Sequence, residues 1–247
     1  MRNALLILCF LLACGGVDGQ TVKPKGALTF LKMYMPPAKR DTVWRAGRIV
    51  KPGSWFEQHA WCQTDIPDSA LKRMKAVYKD KYIKIPLKQL CYLKLLHYNK
   101  TGQIQLGEMV CNKSVAGKLI KIFKALYTNK YPIERMVLVD NYNADDEKSM
   151  AANNTSCFNY RVVAGTTALS KHSLGKAVDI NPLYNPCVKK GTVSPASGKA
   201  YANRSLQGTP FPLITTTDLC YRLFRQYGAT WGGAWRSLKD YQHFEFP

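Results

Sequence analysis

Three features of this sequence predict an α+β fold. Helix-like and strand-like stretches are mixed without the regular alternation that builds a doubly wound parallel sheet. The chain has 247 residues, 46% of them hydrophobic, which suffices for one large packed domain or two small ones. It contains no internal repeat and no low-complexity block.

Taken in order, the chain opens with Arg2, the apolar run ALLILCFLLA and then small residues, the pattern of a signal peptide over residues 1–19. That run is too short to span a bilayer, and no later segment is long enough, so export without a transmembrane segment is expected. Cleavage near Gly19 gives a secreted soluble protein. Leu11-Leu12-Ala13-Cys14 instead resembles a bacterial lipobox, which would leave a lipid anchor on Cys14. Asn-x-Ser/Thr sequons beginning at Asn99, Asn112, Asn153, Asn154 and Asn203 favour the first reading. Residues 20–57, with Pro36, Pro37, Pro52 and Gly53 and weak periodicity, read as an irregular basic extension, leaving 58–247 for the folded domain.

Within that domain, residues 68–80 predict a helix capped near Asp68 or Ser69. Strands are expected over 90–97 and 107–111. Leu119, Ile120, Ile122, Phe123 and Leu126 recur at helical spacing within Ala116 to Tyr127. A strand over 135–140, a short helix over 145–152 and strands over 157–164 and 177–181 follow. Residues 190–210, rich in Gly, Ser and Pro, read as a surface loop, and 216–227 as a helix. The stretches ATWGG and HFEF are expected to be closing strands.

Beyond Cys14 there are six cysteines: Cys62, Cys91, Cys111, Cys157, Cys187 and Cys220. In an exported chain an even count suggests three disulfides, the other reading being buried free thiols. No Cys-x-x-Cys pair exists, which argues against a cysteine zinc site. The net charge is +20 and uneven. Residues 21–135 hold 23 Lys/Arg against 7 Asp/Glu, whereas residues 136–247 hold 12 against 8. The basic half suits an anionic surface such as a bacterial wall, a glycan or a membrane, or is simply a solvated face. No zinc-finger or RNP-type pattern is present, so nucleic acid is not an expected partner.

The chemistry concentrates in SKHSLGKAVDINP, Ser170 to Pro182. Asp179 lies between Val178 and Ile180 in an apolar run. A buried carboxylate needs a partner, because an unpaired buried charge is expensive. A metal ion is one such partner. Near the C-terminus, Asp240 precedes His243 by three residues, a spacing that shares a face only if Ser237 to Tyr241 curl into a turn. His172, Asp179 and His243 then supply two imidazoles and one carboxylate, the three-ligand layout of catalytic zinc with one open position. Asp240 is the candidate base for a zinc-activated water. Taken singly, each of these histidines reads as structural; the set points to metal.

The stretch SMAANNTSCFNYRVVAGTTALSKHSLGKAVDINPLYNP, with WGGAWRSLKDYQHFEF, resembles the zinc D-Ala-D-Ala carboxypeptidases and L-Ala-D-Glu endopeptidases that cut peptidoglycan stem peptides, among them vancomycin-resistance carboxypeptidases and phage endolysins. Ser170, His172, Gly175, Ala177 and Asp179 fill that family's S-x-H-x-x-G-x-A-x-D element, and Asp240 and His243 its late acidic-x-x-His element. Many relatives carry glutamate where this chain has Asp240. The resemblance covers roughly residues 85–247, through IPLKQLCYLKLLHYN, GEMVCN and KYPIERM. It implies a single domain of the hedgehog/D-Ala-D-Ala metallopeptidase type, an antiparallel sheet with flanking helices. It implies Zn2+ on His172, Asp179 and His243, with Asp240 as general base. Arg161 in FNYR would steady the oxyanion; its other reading is a structural ion pair. Ser170 binds substrate or caps its loop. Trp231 and Trp235 are candidates for the cleft wall, core packing being the alternative for at least one.

The expected function is therefore hydrolysis of D-amino-acid-containing peptide bonds in bacterial peptidoglycan. Two rivals stand: a zinc-bearing extracellular module that binds without cleaving, as in hedgehog signalling domains, and an anionic-glycan or membrane binder. Asp240 together with Arg161 favours the enzyme.

Overall fold

The computed structural model describes residues 42–74, 78, 85–163, 165–204 and 211–247. The expected signal peptide, Cys14 and most of the 20–57 extension lie outside them. The first sheet is antiparallel and has four strands: β1 (Ile49–Val50), β2 (Cys62–Thr64), β3 (Leu90–Tyr98) and β4 (Ile104–Asn112), in the order β1-β4-β3-β2. Helices α1 (Trp55–Gln58) and α2 (Asp68–Met74) fall between β1 and β3, and α3 (Lys113–Thr128) follows β4. Strand β3 is nearly continuously apolar because both its faces are covered. Cys91, Leu93 and Leu95 meet α3, while Leu90 and Tyr92 pack with Ala70 and Met74 of α2. The Asn112 side chain caps α3 by accepting from the N–H of Ser114.

Beyond α3 come α4 (Asp146–Ala151), β5 (Ala177–Asp179), β6 (Cys187–Lys189), β7 (Thr192–Ser194), α5 (Leu219–Gln226), β8 (Thr230–Trp231), β9 (Lys239–Asp240) and β10 (His243–Glu245). They form two further three-stranded sheets, β5-β10-β8 and β7-β6-β9. The β5-β10-β8 sheet is seated on the core through alternation. Val178 and Phe244 face inward, and Phe244 stacks on Phe224 of α5 with ring centroids 4.2 Å apart. Phe224 in turn meets Phe123 of α3 edge-on at 6.4 Å. Each such buried ring contributes on the order of 2–3 kcal/mol of apolar transfer. Residues Thr42 to Pro247 group as one compact unit.

Mixed helix and antiparallel sheet bears out the α+β class, with three small sheets in place of one. Several boundaries differ for identifiable reasons. Residues 135–140 form no strand beyond an isolated bridge between Arg135 and Asn154. There, side chains take the place of a neighbouring strand: Asn154 Oδ1 accepts the N–H of Val137, and Glu108 Oε1 that of Leu138. Residues 157–163 are likewise irregular, since Ser173 Oγ and the His172 carbonyl accept from Arg161 and Asn159. The expected 190–210 loop contains β7 and a 3-10 helix at Ala196–Tyr201.

The three expected disulfides are corrected: all six described cysteines are free. Cys91 and Cys111 oppose one another across β3 and β4, yet their sulfurs are 3.8 Å apart, a hydrogen-bond contact and not a 2.05 Å bond. Cys157 donates to the Gly175 carbonyl. Cys62, Cys187 and Cys220 stand in β2, β6 and α5, three separate elements. Asn153 and Asn154 are 1% and 0% exposed, so a glycan on either is sterically excluded from the folded chain.

Candidate metal centre

Register places the first two candidate ligands side by side. Asp179 ends β5, His243 begins β10, and the two are directly paired across the strands. Period-2 alternation puts both on the face opposite Val178 and Phe244, with Glu245 beside them. His172 arrives from a 3-10 turn, Lys171–Leu174, that precedes β5. Ser170 Oγ caps that turn by accepting the His172 N–H at 3.2 Å. Gly175 ends it in the left-handed region at φ 64°, and a Cβ there would stand 2.6 Å from the Asn112 nitrogen, so only glycine fits.

The three side chains converge at one point. His172 Nε2 lies 3.1 Å from Asp179 Oδ2, His243 Nδ1 lies 3.0 Å from Asp179 Oδ1, and the two nitrogens are 3.2 Å apart. All are buried. Tetrahedral ligands placed 2.0–2.1 Å from a zinc ion stand about 3.3 Å from one another, so this donor set fits that metal in both chemistry and spacing. Burial opposes charge on His243, but hydrogen bonds to Asp179 and Glu245 outweigh it and push its pKa up to about 10. Burial likewise opposes charge on Asp179, while His172 and His243 hold its carboxyl well below the usual carboxylate range. The point between these groups thus favours a positive charge.

Outer partners fix which nitrogen of each ring faces inward. His172 Nδ1 is 2.6 Å from the Cys157 carbonyl, and His243 Nε2 is 3.3 Å from Glu245 Oε2. Both partners only accept, so with a metal in place of the inward protons those nitrogens would stay protonated and His172 Nε2 and His243 Nδ1 would give it their lone pairs. Loss of the Glu245 acceptor should lower zinc affinity by about 10–100-fold in Glu245→Ala, with Glu245→Gln retaining part through its amide oxygen. Competition titration against a chromogenic chelator measures this; equal affinities in all three proteins would show that Glu245 does not orient the ring.

The site forms the floor of a cavity of about 670 Å3 that Arg161, Ser170, Trp235, Asp240 and Gln242 also line. Asp240 does not sit on a helical turn, as the spacing had suggested. It ends β9 opposite Cys187 of β6, and a bend at Tyr241–Gln242 leads into β10. Burial pushes its carboxyl up to about 6, and its Oδ1 is buried without a hydrogen-bond partner. Arg161 pairs with Asp146 Oδ2 at 2.9 Å, and its Nε is likewise buried and unpartnered. Trp235 packs on the His243 ring at 5.3 Å, whereas Trp231 is a core residue whose Nε1 donates to the Tyr241 carbonyl.

Sequence reasoning missed four contributors: Glu245, Asp146, the Cys157 carbonyl and Gly232. A Cβ on Gly232 would stand 2.8 Å from the Asp240 Cβ and 3.3 Å from the His243 Cβ, so this glycine lets both approach. The Gly-Gly pair after Trp231 was the available signal. Glu245 was also legible, two residues after His243 and hence on the same strand face.

No curated protein and no solved structure matches the chain. Residues 164–246 match the family model described as D-alanyl-D-alanine carboxypeptidase. That segment, about a third of the chain, is similar to that family and holds His172, Asp179, Asp240 and His243, the residues that meet at the cleft.

Proposed function

We propose that this protein is a zinc-dependent peptidase that hydrolyses D-amino-acid-containing bonds of bacterial peptidoglycan stem peptides, as a D-Ala-D-Ala carboxypeptidase or an L-Ala-D-Glu endopeptidase. The observation that carries it is the meeting of His172, Asp179 and His243 on the floor of a cleft, next to Asp240, whose Oδ1 is buried without a hydrogen-bond partner. His172, Asp179 and His243 would hold a zinc ion, which would supply Lewis acidity near neutral pH. Asp240, which lines the cleft beside these side chains, takes the proton of the attacking water. Arg161, which lines the same cleft and pairs there with Asp146, steadies the charge that develops on the oxygen of the scissile carbonyl. Ser170 lines the substrate side of the cleft while capping the His172 turn.

The rival reading, a zinc-bearing module that only binds, gives Asp240 no task. Keeping a buried acceptor unsatisfied costs about 1–3 kcal/mol, and a binding module has no need of it. Export, by the N-terminal signal-like segment, brings the protein to its substrate, and the basic residues 21–135 draw it to anionic walls. Purified peptidoglycan incubated with the protein should release stem-peptide fragments or free D-alanine, and a chelator should stop the release. An unchanged wall digest, sized by mass spectrometry, would overturn the proposal.

A further inference from the structure

Among the charged residues that line the cleft, every acid is either paired or buried. Asp146 holds Arg161 and accepts from Asn159, Asp179 faces both histidines, Glu245 accepts from His243, and Asp240 is the buried base. The bases are not balanced in the same way. Lys189 and Lys190 line the same cavity, are exposed, and have no ion pair among the described residues. Lys171 lines it too, half-buried.

The β6–β7 hairpin holds the two free lysines in place. Lys189 pairs with Thr192, leaving Lys190-Gly191 as a two-residue turn with φ of 47° and 81°. Positive φ at both positions is the tight hairpin turn that matches strand twist. Cys187, at the other end of β6, is directly opposite Asp240 on β9 and also lines the cleft. Lys189 is two residues further on, so it shares the face of Cys187 and stands about 7 Å along the strand from the level of Asp240. An extended peptide advances about 3.3–3.6 Å per residue, so a substrate lying along β6 would cover this offset with two residues.

Resting on the peptidase reading above, we infer that Lys189 and Lys190 form an anion subsite that takes a free carboxylate on the substrate about two residues from the bond cut. The substrate class is therefore an acidic stem peptide, with its branch carboxylates free and not amidated.

Matched synthetic stem peptides, each with one branch carboxylate either free or as its carboxamide, test this. At low salt the wild type should prefer the acid by about five-fold in kcat/KM at one position, mainly through KM, the size expected of two exposed charge contacts. The preference should shrink as salt rises. It should vanish in Lys189→Gln/Lys190→Gln and reverse in Lys189→Glu/Lys190→Glu. Because each reading is a ratio within one protein, a general loss of activity leaves it intact. Equal rates on acid and amide at every position, or a preference that survives both double variants, overturn the subsite alone. Cleavage of none of the peptides by the wild type overturns the peptidase reading and the subsite with it.

Discussion

Asp240→Asn should fold normally, keep its zinc and lose peptide cleavage by at least about 100-fold, the low end of what general base catalysis supplies. The substitution preserves shape in a tight place: Gly232 already brings its backbone against the Asp240 Cβ, and β9 pairs Asp240 with Cys187. It replaces the basic carboxylate that takes the water proton with an amide too weakly basic to do so. Because Asp240 stands outside the set of converging donor atoms, zinc content should stay near that of the wild type. Asp240→Glu should keep part of the activity, with the longer arm misplacing the carboxylate in a site built for aspartate. Wild-type cleavage by Asp240→Asn would remove Asp240 from the mechanism. Loss of zinc by that variant would make it a ligand and open Asp179 to reassignment as the base.

Replacement of His172, Asp179 or His243 by alanine should bring zinc content from about one ion per chain to nearly none, because two side chains hold zinc far less tightly than three. Activity should vanish with the metal. The fold should survive, for reasons specific to each position. Asp179 exchanges both backbone hydrogen bonds with Ser156, which its side chain does not influence. His172 and His243 face the cleft, while Val178, Phe224 and Phe244 hold the sheet from the other side. Metal analysis beside circular dichroism separates the two effects. Full zinc occupancy in any of the three variants would strike that residue from the ligand set.

The elements most legible in the sequence were those with one dominant period. The helix around Leu119 to Leu126 and the strand around Leu90 declared themselves because packing, capping and hydrophobic spacing agree there. Residues 135–140 misled for the opposite reason. Their β-like pattern marks burial, but buried Asn154 and Glu108 satisfy the backbone where a partner strand was expected. Cysteine arithmetic failed because an even count says nothing about distance. Cys91 and Cys111 are cross-strand neighbours whose sulfurs stay apart, and the other four are scattered over separate elements or loops.

By itself the sequence determined the identity of the candidate ligands, since a lone aspartate in an apolar run and a histidine beside an apolar strand require a charge partner once buried. It also determined Gly175 within the S-x-H-x-x-G element, whereas the role of Gly232 beside Asp240 was not read from it. Tertiary structure alone decided how these residues meet. Strand register, which a one-residue slip would invert, sets Asp179 opposite His243 and on the face away from Phe244. The pairing of β6 with β9, rather than a helical turn, brings Asp240 to the cleft and carries Lys189 and Lys190 in with it. Such pairings join segments far apart in the chain, and their geometry depends on the packing of the whole core, which no local spacing encodes.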